Sequence, residues 1–241
     1  MKIALLCDTH CGIRNSSEVF LDNAEDFYTN IFFPECEKRG VKQILHLGDY
    51  YDHRKFVNFK ALNQNRRVFL DQLRKHNMVM DIIPGNHDTY YKNTNELNAL
   101  KECLGHYMNE VHIIMEPTVM QYGSLSMALL PWICADNYEP SMSFIRDCKA
   151  DWLGAHLELA NFEIGRGILA PHGMDAKIFK KFEQVLSGHY HTASRRDNIW
   201  YLGNPMEFFW SDAHDPKFFH ILDTESRQIE KIRNTYTLFE K

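Results

Sequence analysis

The chain has 241 residues, with 27 basic and 32 acidic side chains and a formal net charge of −5. That balance excludes a protein that coats nucleic acid everywhere through counterion release, and the 44% hydrophobic content is that of a foldable globular chain. Six cysteines without a CxxC pair exclude a thiolate zinc knuckle and a disulfide framework. No apolar stretch approaches the roughly 20 residues that span a bilayer, so a cytoplasmic protein of one domain, residues 1–241, with no membrane contact is expected. Thirteen histidines stand out.

The first hundred residues alternate in the βαβ manner. Ile3 to Leu6, Ile44 to Leu47 and Val79 to Ile83 are short apolar runs expected to be strands buried on both faces. Between them, Phe20, Ala24, Phe27 and Ile31 recur at helical spacing after the caps Ser16 and Ser17, and Pro34 is expected to end or kink that helix. Leu62, Phe69 and Leu73 mark a second helix. Leu97, Leu100 and Leu104 share a face of a third, read as core packing, with a homodimer contact as the alternative. From Val111 onward strand-like runs dominate (Val119 to Tyr122, Leu125 to Leu130, Trp152 to Ala155, Val185 to Ser187, Ile199 to Leu202, Phe218 to Leu222, Gln228 to Ile232). Short helices are expected near residues 143–149 and 176–182. The fold class is α/β.

The chemistry sits at strand ends. Asp8 and His10 follow the first strand, and alternation along an extended segment lets them point the same way. Gly48-Asp49-Tyr50-Tyr51-Asp52 follows the second, and Gly85-Asn86-His87-Asp88 the third. Gly154-Ala155-His156 and Gly188-His189-Tyr190-His191 end two later strands. Ligands gather at the carboxyl ends of strands in open α/β sheets, so these groups should converge. Carboxylate, amide and imidazole donors without thiolate suit manganese, iron or zinc, and seven donors exceed one ion's needs. Two ions sharing a carboxylate would activate water and clamp a phosphoryl group, which points to phosphoester hydrolysis. Any one of these motifs alone is more often a turn with a satisfied polar side chain. Five in order, each after an apolar run, make coincidence a poor account.

The ordered series D-x-H, G-D-x-x-D, G-N-H-D, G-A-H and G-H-x-H resembles the calcineurin-like metallophosphoesterases. The resemblance implies a four-layer α-β-β-α sandwich with two mixed sheets. It also implies that Asp8, His10, Asp49 and His191 hold one ion, and Asp49, Asn86, His156 and His189 the other. His87 would be the acid, since histidine changes charge near neutral pH, with Asp88 as its orienting partner. Two Mn2+ are expected, with Mg2+, Fe2+ or Zn2+ as substitutes.

Asp8-Thr9-His10-Cys11-Gly12, Gly203-Asn204-Pro205-Met206-Glu207 and the strand Lys217 to Asp223 resemble the SbcD-type nucleases of double-strand-break repair. That likeness implies a DNA exonuclease and single-strand endonuclease, an SMC-like coiled-coil ATPase partner of the SbcC type, and a homodimer. The metal site alone equally suits a phosphodiesterase or phosphatase for small molecules or phosphoproteins. Two departures stand out: where some members have their second active-site histidine at the position of Asp52, the histidine here is the next residue, His53, which either takes that catalytic role or merely lines the cleft, and the capping and ATPase-binding segments are not apparent.

Arg14, Arg54, Lys55, Arg195 and Arg196 flank the motifs and could contact DNA phosphates, with solvated charged loops equally weighted. Tyr50, Tyr51, Tyr90, Tyr91 and Tyr190 could stack on bases or simply pack. His172 reads as a solvent-facing loop residue.

Overall fold

A computed structural model describes residues 1–165 and 167–239. In chain order its strands are β1 (Lys2–Leu6), β2 (Gln43–His46), β3 (Val79–Ile82), β4 (Val111–Ile113), β5 (Thr118–Tyr122), β6 (Leu125–Leu130), β7 (Trp152–His156), β8 (Glu163–Gly165), β9 (Ile168–Leu169), β10 (Gln184–Gly188), β11 (Ser194–Arg196), β12 (Ile199–Tyr201), β13 (Phe218–Asp223) and β14 (Gln228–Arg233). One sheet runs β14-β13-β1-β2-β3-β4 and a second β11-β12-β10-β7-β6-β5. In both, the central strands are parallel and antiparallel strands close an edge. A parallel centre sends every central strand's carboxyl end to the same rim, the requirement for a shared site.

The sheets face each other through a layer that includes Leu5, Leu45, Leu47, Met127, Leu129 and Leu186, all buried. Gly154 permits the close approach: a methyl there would meet Leu47 and Leu129 methyls at 3.0 and 3.1 Å. Helices cover the outer face of the first sheet through Phe27, Phe32, Phe69 and Leu73. Helix Tyr138–Asp147 and the 3-10 turn Ala176–Phe179 cover the second through Ile145 and Phe179. The result is the four-layer α-β-β-α sandwich.

Pro34 does not end its helix. Helix Glu18–Phe27 runs into a π turn at Tyr28–Phe32, where Phe33 donates to the carbonyl of Tyr28, five residues back, and continues as Phe33–Lys38. The proline falls in the first turn after the wide turn, where its missing N–H costs least. Helix Phe59–Asn65 repeats the device through Arg66–Leu70 into Asp71–Lys75. The third helix, Ala99–Leu104, is shorter than its leucine spacing implied. Leu97 precedes it and is 39% exposed, whereas Leu100 and Leu104 are fully buried. That face packs into the chain's own core and leaves no leucine stripe for a subunit contact. Among the described residues no helix is long and apolar enough to cross a membrane.

Burying Leu100 should therefore stabilise the chain itself. Leu100→Ala should cost about 2–5 kcal/mol by urea denaturation, independent of protein concentration, whereas Leu97→Ala should stay within about 0.5 kcal/mol. A concentration-dependent loss at either position would restore the contact reading.

His220, on β13 and 1% exposed, lies in the inter-sheet layer with its ring edge-on to Trp200 at 5.3 Å. Burial, with a small contribution from Lys231, holds its pKa at about 3, against about 6.5 in an unfolded chain. Between pH 6 and 4 the unfolded state therefore binds a proton that the fold excludes, and stability falls as pH falls. This residue contributes about 1.4 kcal/mol per pH unit. Urea midpoints in chelator at several pH values should show a flatter acid slope for His220→Leu; an unchanged slope would refute the assignment.

Candidate metal centre

The ends of β1, β2, β3, β7 and β10 meet at one rim. The turns that follow them use left-handed backbone: Asp8, His10 and Asp49 have φ of 50°, 43° and 55°, and Gly48 has φ 89°. Such conformations cost about 1–3 kcal/mol each for non-glycine residues and persist only where the surroundings impose them. Glycine is required at two contacts. A Cβ on Gly48 would lie 2.7 Å from the Gly85 nitrogen and from His156 Nδ1, and one on Gly85 would lie 2.2 Å from Asp49 Oδ1. The turns also lock one another. Asp8 N donates to the Gly48 carbonyl and His10 N to that of Asp49. His87 N donates to Asp49 Oδ1 at 2.7 Å, and His189 N to the Asp8 carboxylate at 3.0 Å.

All seven expected ligands converge. Asp8, His10 and His191 place donor atoms within 4.8 Å of one another, as do Asp49, His156 and His189. His10 Nε2 lies 3.0 Å from His191 Nε2 in the first group. In the second, Asn86 Oδ1 is 2.8 Å from His189 Nδ1 and 3.1 Å from His156 Nε2. Asp49 Oδ2 stands between the groups, 3.8 Å from His10 Nε2 and 3.3 Å from His156 Nε2.

This donor set fits two divalent cations. Asp8 and Asp49 are carboxylates at 0% and 1% exposure, and among the described residues neither is paired with a lysine or arginine. Buried charge without a counter-cation is costly, and oxygen with imidazole ligation is what such ions accept. The local electrostatics make the same demand for positive charge. Burial opposes ionisation of Asp49, yet His156 and His10 hold its carboxyl well below the usual range. Burial also disfavours the charged form of His156, but Asp49 raises it to about 9.

Around the ligands, partners differ from the sequence expectation. His156 Nδ1 donates to the Leu47 carbonyl at 2.7 Å, which aims Nε2 at the site. Asp88 does not orient His87: it is fully buried and its carboxylate accepts N–H groups from Tyr51 and Gly85, each at 2.9 Å, bracing the turns behind the site. Burial and the charge of Asp49 raise the Asp88 pKa to about 7. His87 instead donates from Nδ1 to the Asp52 carbonyl at 2.6 Å, with its ring edge-on to His10 at 4.8 Å. The Asp52 carboxylate, which closes the G-D-x-x-D motif and to which sequence reasoning gave no role, lies 3.3 Å from His10 Nδ1. His53 sits outside it, 3.5 Å from Asp52 and stacked on Phe56 at 4.3 Å.

The basic candidates separate. Arg14 donates to the Phe208 carbonyl and lies 4.7 Å over the Phe209 ring, beside His191. Arg54 donates to Thr89, and Lys55 stands over Tyr90; these three rim the site. Arg195 donates to Gln184 Oε1 at 3.0 Å, at the start of β10, roughly 16 Å along the strand from His189. Arg196 pairs with Ile199 at the same remote end of the sheet and donates to the Asn161 carbonyl. Neither arginine is placed beside the ligands, because β11 runs away from the rim. Tyr50, Tyr51 and Tyr190 are buried and pack, while Tyr91 and His172 are exposed.

Exonuclease subunit 1 of Enterobacteria phage T4 is 31% identical over 237 residues, 98% of this chain and 69% of that protein. TT1561 of Thermus thermophilus shares the fold, with a TM-score of 0.51 at 11% identity over 96% of this chain and 98% of that one. A novel archaeal phosphodiesterase aligns with a TM-score of 0.48 at 16% identity, over 97% and 100% of the two chains. The calcineurin-like phosphoesterase family model matches residues 1–220, and with that match over a strand-end ring of carboxylate, amide and imidazole groups, the chain belongs to the calcineurin-like phosphoesterases.

Proposed function

We propose that this phosphoesterase is a divalent-metal-dependent DNA nuclease, exonuclease and single-strand endonuclease, serving a recombination or double-strand-break repair complex. The observation that carries the hydrolytic part is the pair of donor groups with Asp49 between them and His87 alongside. The 31% identity to a phage exonuclease subunit supports DNA as the substrate and a partner subunit in the complex, for which an SMC-like ATPase is our choice.

In this reading Asp8, His10, Asp49 and His191 hold one ion and Asp49, Asn86, His156 and His189 the other, with manganese as the working metal. Bound ions would supply Lewis acidity to a phosphoryl oxygen and a water of lowered pKa. The chain's own part is positioning and proton transfer. The Asp52 carbonyl accepts a hydrogen bond from the Nδ1–H of His87, so the imidazolium form of the ring would give its Nε2 proton to the departing oxygen and return to the neutral Nδ1–H tautomer, a role worth roughly 10² to 10⁴-fold in rate. The Asp52 carboxylate fixes the ring of His10 from behind.

His87→Ala should abolish manganese-dependent cleavage of linear and circular single-stranded DNA while two ions still bind by calorimetry; retained cleavage would overturn its role. Asp52→Ala should weaken metal affinity or turnover by about 10 to 100-fold, the usual effect of removing an outer partner of a ligating histidine. Wild-type metal affinity and turnover in that variant would show that His10 needs no such support.

A further inference from the structure

Beside the donor ring, on the side of His156, lies an open groove of about 330 Å³ that the metal chemistry does not use. Trp132, Cys134, Tyr138, His156, Glu158 and Met174 line it. Its wall is continuous with the centre, since His156 belongs to both. The half-buried indole of Trp132 packs 5.4 Å from the His189 ring and 5.9 Å from that of His156. Its carbonyl accepts N–H groups from Asn95 and Asn137 at 2.7 and 3.0 Å, and its backbone N–H reaches the Pro84 carbonyl. The aromatic wall is therefore held rigidly. Tyr138 is 47% exposed at the mouth, and Glu158 is exposed at its edge.

We infer that this groove is the subsite for the nucleoside attached to the scissile phosphate, with Trp132 as its stacking wall. The inference rests on the nuclease reading above. The volume suits one nucleoside, at the small end of ligand pockets. The chemistry suits it as well: a flat π wall takes a base of any identity, and the Glu158 carboxylate accepts from the N–H edge of a base. Apart from His156, Glu158 is the one charged group lining the groove among the described residues. A second phosphate would find no cation there, so the nucleoside, not the continuing backbone, is the occupant. Arg14 and Phe209, on the opposite side beside His191, remain for the rest of the strand.

The test compares kcat/KM for thymidine 5′- and 3′-(4-nitrophenyl phosphate) with that for methyl 4-nitrophenyl phosphate, all in manganese. The wild type should prefer the better nucleoside ester. Trp132→Ala should lower that preference by about tenfold, chiefly through KM, while Trp132→Phe should keep it within about threefold. Ala135→Trp, which fills the groove from its exposed rim without touching a ligand, should lower the preference similarly. An unchanged preference in both Trp132→Ala and Ala135→Trp overturns the subsite. Failure of the wild type to cleave DNA at all would instead refute the nuclease reading, whereas DNA cleavage with unchanged preferences would refute the groove alone.

Discussion

Asp49 carries a negative charge at 1% exposure, with an imidazole on each side of it and no lysine or arginine beside it among the described residues. A carboxylate so placed is tolerable only where positive charge can be supplied. Its setting follows from that constraint. Gly48 and Gly85 lack side chains because any Cβ would strike a ligand or its backbone, and the left-handed turns at Asp8, His10 and Asp49 aim short side chains inward. Asp88, a second buried carboxyl nearby, ties those turns together from behind.

Behind the ligands a polar layer holds the geometry. His46 Nε2 lies 3.0 Å from Thr9 Oγ1, and Tyr50 exchanges hydrogen bonds with Asn65. Lys217, 4% exposed, joins the Asn204 amide to the carboxylates of Asp212 and Asp215 and reaches the His191 carbonyl. Asp212 in turn accepts from the N–H groups of Phe208 and Phe209, whose rings pack on His191. These hydrogen bonds polarise one another in the low-dielectric interior and favour one arrangement of the groups behind the ligands.

The strands and the convergence of the candidate ligands were legible because each motif follows an apolar run directly, and a parallel sheet brings the strand ends to one rim. The helices were legible in their apolar spacing but not in their π turns, since a five-residue hydrogen bond leaves no mark in composition. Side-chain direction was the least visible layer. Adjacency suggested that Asp88 serves His87, yet the turn sends the two apart and gives His87 the carbonyl of Asp52 instead. Arg195 and Arg196 follow a metal motif in sequence, but β11 carries them toward the far end of the sheet. Trp132 lay between motifs, with no spacing signal to mark it.

The proposed sharing of Asp49 by two cations is tested most directly by anomalous diffraction from manganese-soaked crystals. It predicts two peaks about 3.5–4 Å apart, one bounded by Asp8, His10 and His191 and the other by Asn86, His156 and His189, with the Asp49 carboxylate touching both. A single peak, or a pair not bridged by Asp49, would contradict it.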